Sequence, residues 1–211
     1  MLWLLCWLLP LYYLTLDNKL LTLWQQPLLR QLFAGIGLCL LVLWQVKAQL
    51  PQGPALHFLG ITTATLLLGL RLSLCLIPAV MLTTVAATWL VVPAKLGSAT
   101  LWLADWAVLT VLALQSYLQL YLVHKQFGQQ LFVYIFLVAF IGSALCTVNF
   151  VLLQSTVLYL LQPDAAVDIA SYLALSPLLA LPEAILNGMA MTLLLVYRPE
   201  WVATYRPHVD Q

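Results

Sequence analysis

A carboxylate and a carboxamide lie four residues apart near the end of this chain, at Glu183 and Asn187. Residues with this spacing share one face of an α-helix, and the surrounding sequence is apolar enough to cross a bilayer. An ionisable group at membrane depth is costly, so it is expected to have a use. Pro182 removes a backbone donor directly before Glu183. We therefore predict that Glu183 either lines a pocket or orders a kinked helix on which the pocket depends.

The composition places the whole chain in a membrane. Of its 211 residues, 64% are hydrophobic and 7% are charged, a balance at which a soluble domain would precipitate. Because a span needs about 20 residues, the chain has room for about six or seven spans in one domain, 1–211. The formal net charge of +1 gives no footprint for nucleic acid. The predicted class is an all-α polytopic membrane protein whose surroundings are the lipid bilayer.

Apolar runs predict seven spans, at 2–16, 32–46, 56–70, 72–92, 101–123, 131–161 and 175–197. The first lacks the basic flank and the cleavage site of a signal peptide, so we expect a mature span there. The third ends in a turn at residues 69–71 and must be short or re-entrant. The sixth is too long for one perpendicular helix and is expected to tilt or to end at the interface.

Basic residues predict the orientation, because lysine and arginine near span ends are retained in the cytoplasm. With the N-terminus outside, six of the eight basic residues fall on the inner side and two on the outer side. The inner set is Lys19, Arg30, Arg71, Lys125, Arg198 and Arg206, and the outer set is Lys47 and Lys95. We therefore predict a multi-pass protein of the plasma or inner cell membrane, with its N-terminus outside and its C-terminus cytoplasmic.

In that orientation four polar groups lie in the outer half of the membrane. His57 comes one residue into the third span, and Asp105 comes four residues into the fifth. Glu183 lies about 12 Å below the outer end of the last span, at about 1.5 Å per residue. Asn187 lies one turn deeper. The arrangement predicts a pocket that loads from outside.

Each of these groups also has a structural interpretation. A single histidine at a membrane interface is often only hydrated, and Asp105 fits a capped position in an aromatic belt between two tryptophans. Asn187 fits an amide that holds two helices together. The cysteines lie inside apolar runs and are expected to pack as small hydrophobic residues; they are Cys6, Cys39, Cys75 and Cys146.

The sequence contains none of the common catalytic motifs. The patterns G-x-S-x-G and H-E-x-x-H, the P-loop and the dinucleotide fingerprint are all absent, and the three histidines lie far apart in the predicted topology. We therefore expect a protein that is not an enzyme and does not itself hydrolyse ATP. Uphill transport would then take its energy from a partner or an ion gradient.

Two segments resemble a known family. One is GPALHFLG at 53–60 with LLLGL at 66–70, and the other is PEAILNG at 182–188 continuing to YRPEW at 197–201. Together they resemble the CbiM/NikM-type substrate-binding permeases of energy-coupling factor transporters. The resemblance implies a subunit that captures Co(II) or Ni(II) on the outer side and passes it inward with a transmembrane coupling subunit and cytoplasmic ATPases. It implies no permanently bound cofactor, since the metal is the substrate.

The resemblance assigns one metal ligand. The family has a ligating histidine in a Gly-rich segment before a short helix that ends in a run like LLLG, and His57 takes that position. The family's other ligands come from an N-terminal Met-His, whereas this sequence reads Met1-Leu2-Trp3 and offers no imidazole at position 2. The family's nitrogen set cannot form as such, so a divergent branch is implied. Asp105, Glu183 and Asn187 are the further pocket candidates.

Two functions of different classes follow. The first is capture of a divalent transition metal, or of another small solute, for import. The alternative is a non-transporting membrane subunit that keeps the fold without the metal site and holds or regulates a partner, and an embedded enzyme comes third. Imidazole with carboxylate suits Zn(II), Ni(II) or Co(II), and the cysteines leave copper open.

Overall fold

The computed structural model describes residues 25–49, 55–91, 99–161 and 173–205. Within these ranges the helices are α1 (Pro27–Gln45), α2 (Ile61–Leu68), α3 (Leu70–Val91), α4 (Ala99–Phe127), α5 (Leu131–Leu161) and α6 (Ser176–Tyr197). Strands β1 (Lys47–Gln49) and β2 (Ala55–His57) form an antiparallel hairpin between α1 and α2, with Lys47 opposite His57. Part of α5, Tyr134–Ile141, is π-helical, and a 3₁₀ turn, Pro199–Trp201, follows α6.

Five helices in the described ranges are long and apolar enough to cross a membrane, namely α1, α3, α4, α5 and α6. Their outer faces carry large apolar side chains, among them Leu82, Leu90, Phe132 and Leu178, which are each 69–75% exposed. Such a continuous apolar surface fits hydrocarbon rather than water. The prediction of an all-α polytopic membrane protein is confirmed.

Of the six predicted spans that fall on described residues, five are spanning helices, and the third, which was expected to be short or re-entrant, is short and does not span. Its range, 56–70, holds the end of β2, an irregular stretch and the eight-residue helix α2. At about 1.5 Å per residue α2 is about 12 Å long and cannot cross a bilayer alone. His57, expected one residue into a helix, instead ends strand β2. The first predicted span, 2–16, lies outside the described residues.

The two ends of the bundle differ in structure. At the hairpin end lies the β1–β2 pair that follows α1. At the tail end, turns at Gly69 and Gly128, both with positive φ, connect α2 to α3 and α4 to α5, and residues 198–205 follow α6. The Ala203 N–H donates to the carbonyl of Leu67 at 3.0 Å, so α2 also finishes at the tail end. Residues 57–68 therefore run from the hairpin end to the tail end as an irregular stretch followed by a half-helix.

Helix α2 lies in the centre of the bundle. Seven of its eight residues are buried, and it packs against α1, α3, α4, α5 and α6. One apolar cluster joins α2 to α1, α3, α4 and α5, and a second lies at the tail end around Leu66, Tyr134, Met191 and Val202. A half-helix in this position leaves its own N-terminal backbone groups inside the apolar core, where they need partners.

Candidate functional site

Residues 57–60, named here the His57 loop, carry irregular backbone through the buried interior. Leu59 is 2% exposed, and Gly60 is also buried. The indole Nε1–H of Trp44 donates to the Leu59 carbonyl at 3.1 Å, and the Gly60 carbonyl accepts the Ala64 N–H at 3.0 Å. Gly60 has a φ of 62°, and a Cβ at this position would lie 2.8 Å from Leu40 Cδ2. Only glycine combines this conformation with this close approach.

The carboxylate of Glu183 accepts the two buried N–H groups of the His57 loop. Its Oε2 lies 3.0 Å from the Leu59 nitrogen, and its Oε1 lies 2.8 Å from the Gly60 nitrogen. The side chain is 3% exposed. A negative charge here also faces the positive end of the α2 dipole. Glu183 thus supplies, from α6, the acceptors that a continuous helix would have supplied from its own preceding turn.

Asn187 extends this network by one turn of α6. Its Nδ2 donates to Glu183 Oε1 at 2.8 Å, and its Oδ1 accepts the Thr63 N–H at 3.1 Å as well as the Thr63 hydroxyl. Three N–H donors therefore converge on the Glu183 carboxylate, which matches an ionised group that only accepts. The two residues lie on the same face of α6, as their spacing indicates, and that face holds the start of α2.

His57 is half-buried at the beginning of the loop. Its ring lies 6.0 Å from that of Trp44 and 5.8 Å from that of Phe150, measured between centroids. Its Nδ1 lies 3.1 Å from the Phe58 carbonyl oxygen. A carbonyl can only accept, so Nδ1 is the donor in this contact. When the ring is neutral, this contact makes Nε2 the atom that can bind a metal, an arrangement in which the other ring nitrogen holds the ligand by its hydrogen bond.

Asp105 belongs to a different contact. Its Oδ1 accepts a hydrogen bond from Gln154 Nε2 at 2.7 Å, which joins α4 to α5. Gln154 is one turn along α5 from Phe150, the residue beside the His57 ring. The four candidates therefore divide into Glu183 and Asn187 under the loop, His57 at its start, and Asp105 between two regular helices.

The carboxylate, thiol and imidazole groups are dispersed. Among residues 25–49, 55–91, 99–161 and 173–205, no three of His, Cys, Asp and Glu lie close enough together to hold a metal ion. A metal at His57 would take its other ligands from backbone atoms, from solvent or from outside these ranges.

A cleft of about 440 Å³ runs between α1, α2 and α6. Its walls are almost entirely apolar, with Asn187 and Thr63 among the few polar side chains. Bare transition-metal ions need nitrogen, oxygen or sulfur ligands, so this cleft is not a metal site in itself. The candidate metal ligand, His57, belongs instead to the His57 loop, whose last residue, Gly60, lines the cleft.

The sequence did not predict three features: the bond from Trp44 to the loop, the bonds from Thr63 to Asn187, and the loop N–H groups as donors to Glu183. Gly60 directly before an apolar run is the one local signal for a break at this point. The Trp44 bond, which joins residues fifteen positions apart, has no sequence signature.

Comparison with known proteins agrees with the resemblance found in segments 53–60 and 182–188. The family model CbiM, described as cobalt uptake substrate-specific transmembrane region, matches residues 3–201. No curated protein and no solved structure gives a significant match to the chain. The matched range covers nearly the whole length of a multi-pass membrane chain. The chain therefore belongs to the CbiM family of cobalt uptake substrate-specific transmembrane regions.

Proposed function

We propose that this chain is the substrate-capture subunit of an energy-coupling factor transporter that imports a divalent transition metal, with Co(II) as the first cargo to test and Ni(II) as the second. Membership of a cobalt uptake family supports this cargo class. The single observation that carries the proposal is the contact of His57 Nδ1 with the Phe58 carbonyl, which makes Nε2 the ligand atom when the ring is neutral.

His57 is the proposed metal ligand. Trp44 and Phe150 flank its ring and restrict its orientation. The hydrogen bond to the loop's own backbone fixes the tautomer, so little freedom is lost when a metal binds. Imidazole is a suitable ligand for Co(II) and Ni(II).

Glu183 and Asn187 are proposed as positioning residues rather than ligands. Both oxygens of Glu183 already accept N–H groups, two of them from the His57 loop. A metal on this carboxylate would compete with those bonds and leave buried backbone donors unpaired, which is costly in an apolar interior. The network therefore supports capture by holding the loop.

The proposed partners are a transmembrane coupling subunit and cytoplasmic ATPases that meet the tail end. Arg71 lies in the first turn of α3 and Lys125 in the last turn of α4 on this side, and Arg198 directly follows α6. Basic residues of this kind are retained in the cytoplasm, so the tail end is proposed to face inward and the hairpin end outward. A reporter fused after Gln211 should be active in the cytoplasm; activity only outside the cell would reverse the proposed orientation.

Binding of Co(II) to the purified chain tests the proposal. We expect His57→Ala to weaken Co(II) binding, measured by isothermal titration, by more than about 10-fold, since even indirect supports of a metal ligand contribute about 10- to 100-fold. His208→Ala, which lies outside the range 3–201 that the family model matches, is the matched histidine control and should bind as the unmodified protein does. Undiminished binding by His57→Ala would remove His57 from the site.

A second candidate function is a non-transporting subunit that keeps the fold. The absence of a three-residue cluster of metal-binding side chains in the described ranges favours it. It predicts that the purified protein carries no Co(II) or Ni(II) and binds neither, while still associating with a partner in the membrane.

A further inference from the structure

Helix α2 is held at both of its ends by α6 and by the segment that follows α6. At the hairpin-facing end Glu183 and Asn187 bind its N–H groups. At the tail end the last carbonyls of α2 have no partner within the helix, since a helix leaves its final carbonyl groups unpaired. Residues 202–205, named here the tail latch, provide the partners.

The tail latch forms a directed chain of hydrogen bonds. The Thr204 hydroxyl donates to the Leu66 carbonyl at 2.6 Å, and the Ala203 N–H donates to the Leu67 carbonyl at 3.0 Å. Tyr134 Oη lies 2.6 Å from Thr204 Oγ1. Because the Thr204 proton is used toward Leu66, Tyr134 must be the donor in this pair. The order is therefore Tyr134 to Thr204 to α2.

Apolar contacts hold the latch in place. Val202 is 2% exposed, and the Tyr205 ring meets the Tyr134 ring edge-on at 5.3 Å. Tyr134 is 1% exposed and lies in the π-helical part of α5. The latch therefore links α5, α6 and the end of α2 on the face that Arg198 and Glu200 border.

We propose that Thr204 and Tyr134 are positioning residues for the His57 loop, acting through α2 from the opposite end of the molecule. Helix α2 is short, buried along its length and continuous with the loop, so displacement of its last turn moves Gly60 and the bonds to Glu183. The proposal rests on metal capture at His57. The proposed coupling between the tail latch and the His57 loop is reciprocal. A partner that displaces the latch should loosen the loop, and a metal bound at the loop should stabilise the latch.

A tail latch with a purely local role would give a different experimental result. If the latch only capped α2, its loss would affect residues 66–68 and 202–205 and leave metal binding unchanged. Coupling instead requires that a change at either end be detected at the other. The test therefore measures each end while the other is altered.

The first arm uses Thr204→Val, which keeps the shape and removes the hydroxyl, with Thr204→Ser as the matched control that keeps it. We expect Thr204→Val to weaken Co(II) binding by about 5- to 30-fold, within the range of common coupling between sites. Tyr134→Phe, which removes only the first donor of the chain, should have the same direction and a smaller effect. Binding by both variants equal to that of the unmodified protein would overturn the proposal.

The second arm needs no metal and so separates this proposal from the function on which it rests. Glu183→Gln breaks the loop end of α2, and amide hydrogen exchange is then followed at residues 202–205. We expect faster exchange there than in the unmodified protein, with Asp105→Asn, a change at a carboxylate between α4 and α5, as the matched control. Unchanged exchange in the latch would overturn the coupling. If the unmodified protein binds no Co(II) while Glu183→Gln still accelerates exchange, the cargo is wrong and the coupling stands.

Discussion

Glu183 and Asp105 are both acidic residues within membrane-spanning helices, and both are bonded to amide groups, but they serve different parts of the structure. Glu183 accepts backbone N–H groups of an irregular segment and is 3% exposed. Asp105 is half-buried and bonds the side chain of Gln154, between two helices whose backbones are already paired. One carboxylate replaces missing backbone hydrogen bonds, and the other adds a bond between complete helices. The difference predicts very different costs of removal.

Removal of Glu183 is expected to have the largest effect. Glu183→Ala leaves two backbone N–H groups without their acceptor and removes one of the two acceptors of Asn187 Nδ2, which still has the backbone carbonyl of residue 183. A buried donor left unpaired costs about 1–3 kcal/mol, so for two such donors we expect a loss of about 2–6 kcal/mol in the free energy of unfolding, measured by denaturation in mixed detergent micelles. Glu183→Gln keeps one acceptor oxygen and should lose less. Equal stability of both variants and the unmodified protein would show that the loop does not depend on this carboxylate.

Gly60→Ala tests the same region without touching a charge. The positive φ and the 2.8 Å approach to Leu40 should make the methyl group costly. A left-handed conformation costs a non-glycine residue about 1–2 kcal/mol before any clash is counted. We expect a loss of about 2 kcal/mol or more in the same denaturation measurement. Gly35→Ala on α1, where an added Cβ meets nothing within 4 Å, is the matched control and should be neutral or slightly stabilising.

Asn187→Leu should come next. The change removes the acceptor for the Thr63 N–H and a donor to Glu183 while keeping a similar volume. A buried group left unpaired costs about 1–3 kcal/mol, so we expect a destabilisation in that range. The change should also weaken Co(II) binding, because it loosens the start of α2. A fully stable variant would make Asn187 a packing residue, which is one of the roles its sequence position allows.

Asp105→Asn should have the smallest effect. The amide oxygen can still accept from Gln154, and hydrogen bonds between membrane helices contribute on average only about 0.6 kcal/mol. We therefore expect less than about 1 kcal/mol of destabilisation and nearly unchanged Co(II) binding. A large loss of binding with intact stability would instead place Asp105 in the pocket and change the comparison with Glu183.

The pH dependence of binding distinguishes His57 from both carboxylates. Imidazole binds a metal only when it is neutral, so protons compete with Co(II) for the ring nitrogen. Co(II) titrations should therefore show weaker binding as the pH falls, and His57→Ala should remove this dependence on pH. A dependence on pH that persists in His57→Ala would point to Glu183 or Asp105 as the ligand instead.

The sequence correctly predicted the class of protein, five spanning helices in the described ranges and the shared helix face of Glu183 and Asn187. The turn at residues 69–71 indicated that the third span is short, but the irregular stretch before α2 could not be predicted. Hydropathy does not show where a short helix begins within one apolar run such as residues 56–70. The partner of the loop is 123 to 124 residues away in sequence, a separation that no local pattern reports. The depth of Glu183 was therefore predictable, whereas its use as a backbone acceptor was not.

The ligand environment of Co(II) in the loaded protein, measured by X-ray absorption at the cobalt edge, tests most directly whether His57 binds the metal. We expect an imidazole signature in the unmodified protein. It should persist, with weaker binding, in Glu183→Gln and disappear in His57→Ala. An unchanged imidazole signature in His57→Ala, or the loss of an oxygen ligand in Glu183→Gln, would contradict the division between a ligand at His57 and a positioning carboxylate at Glu183.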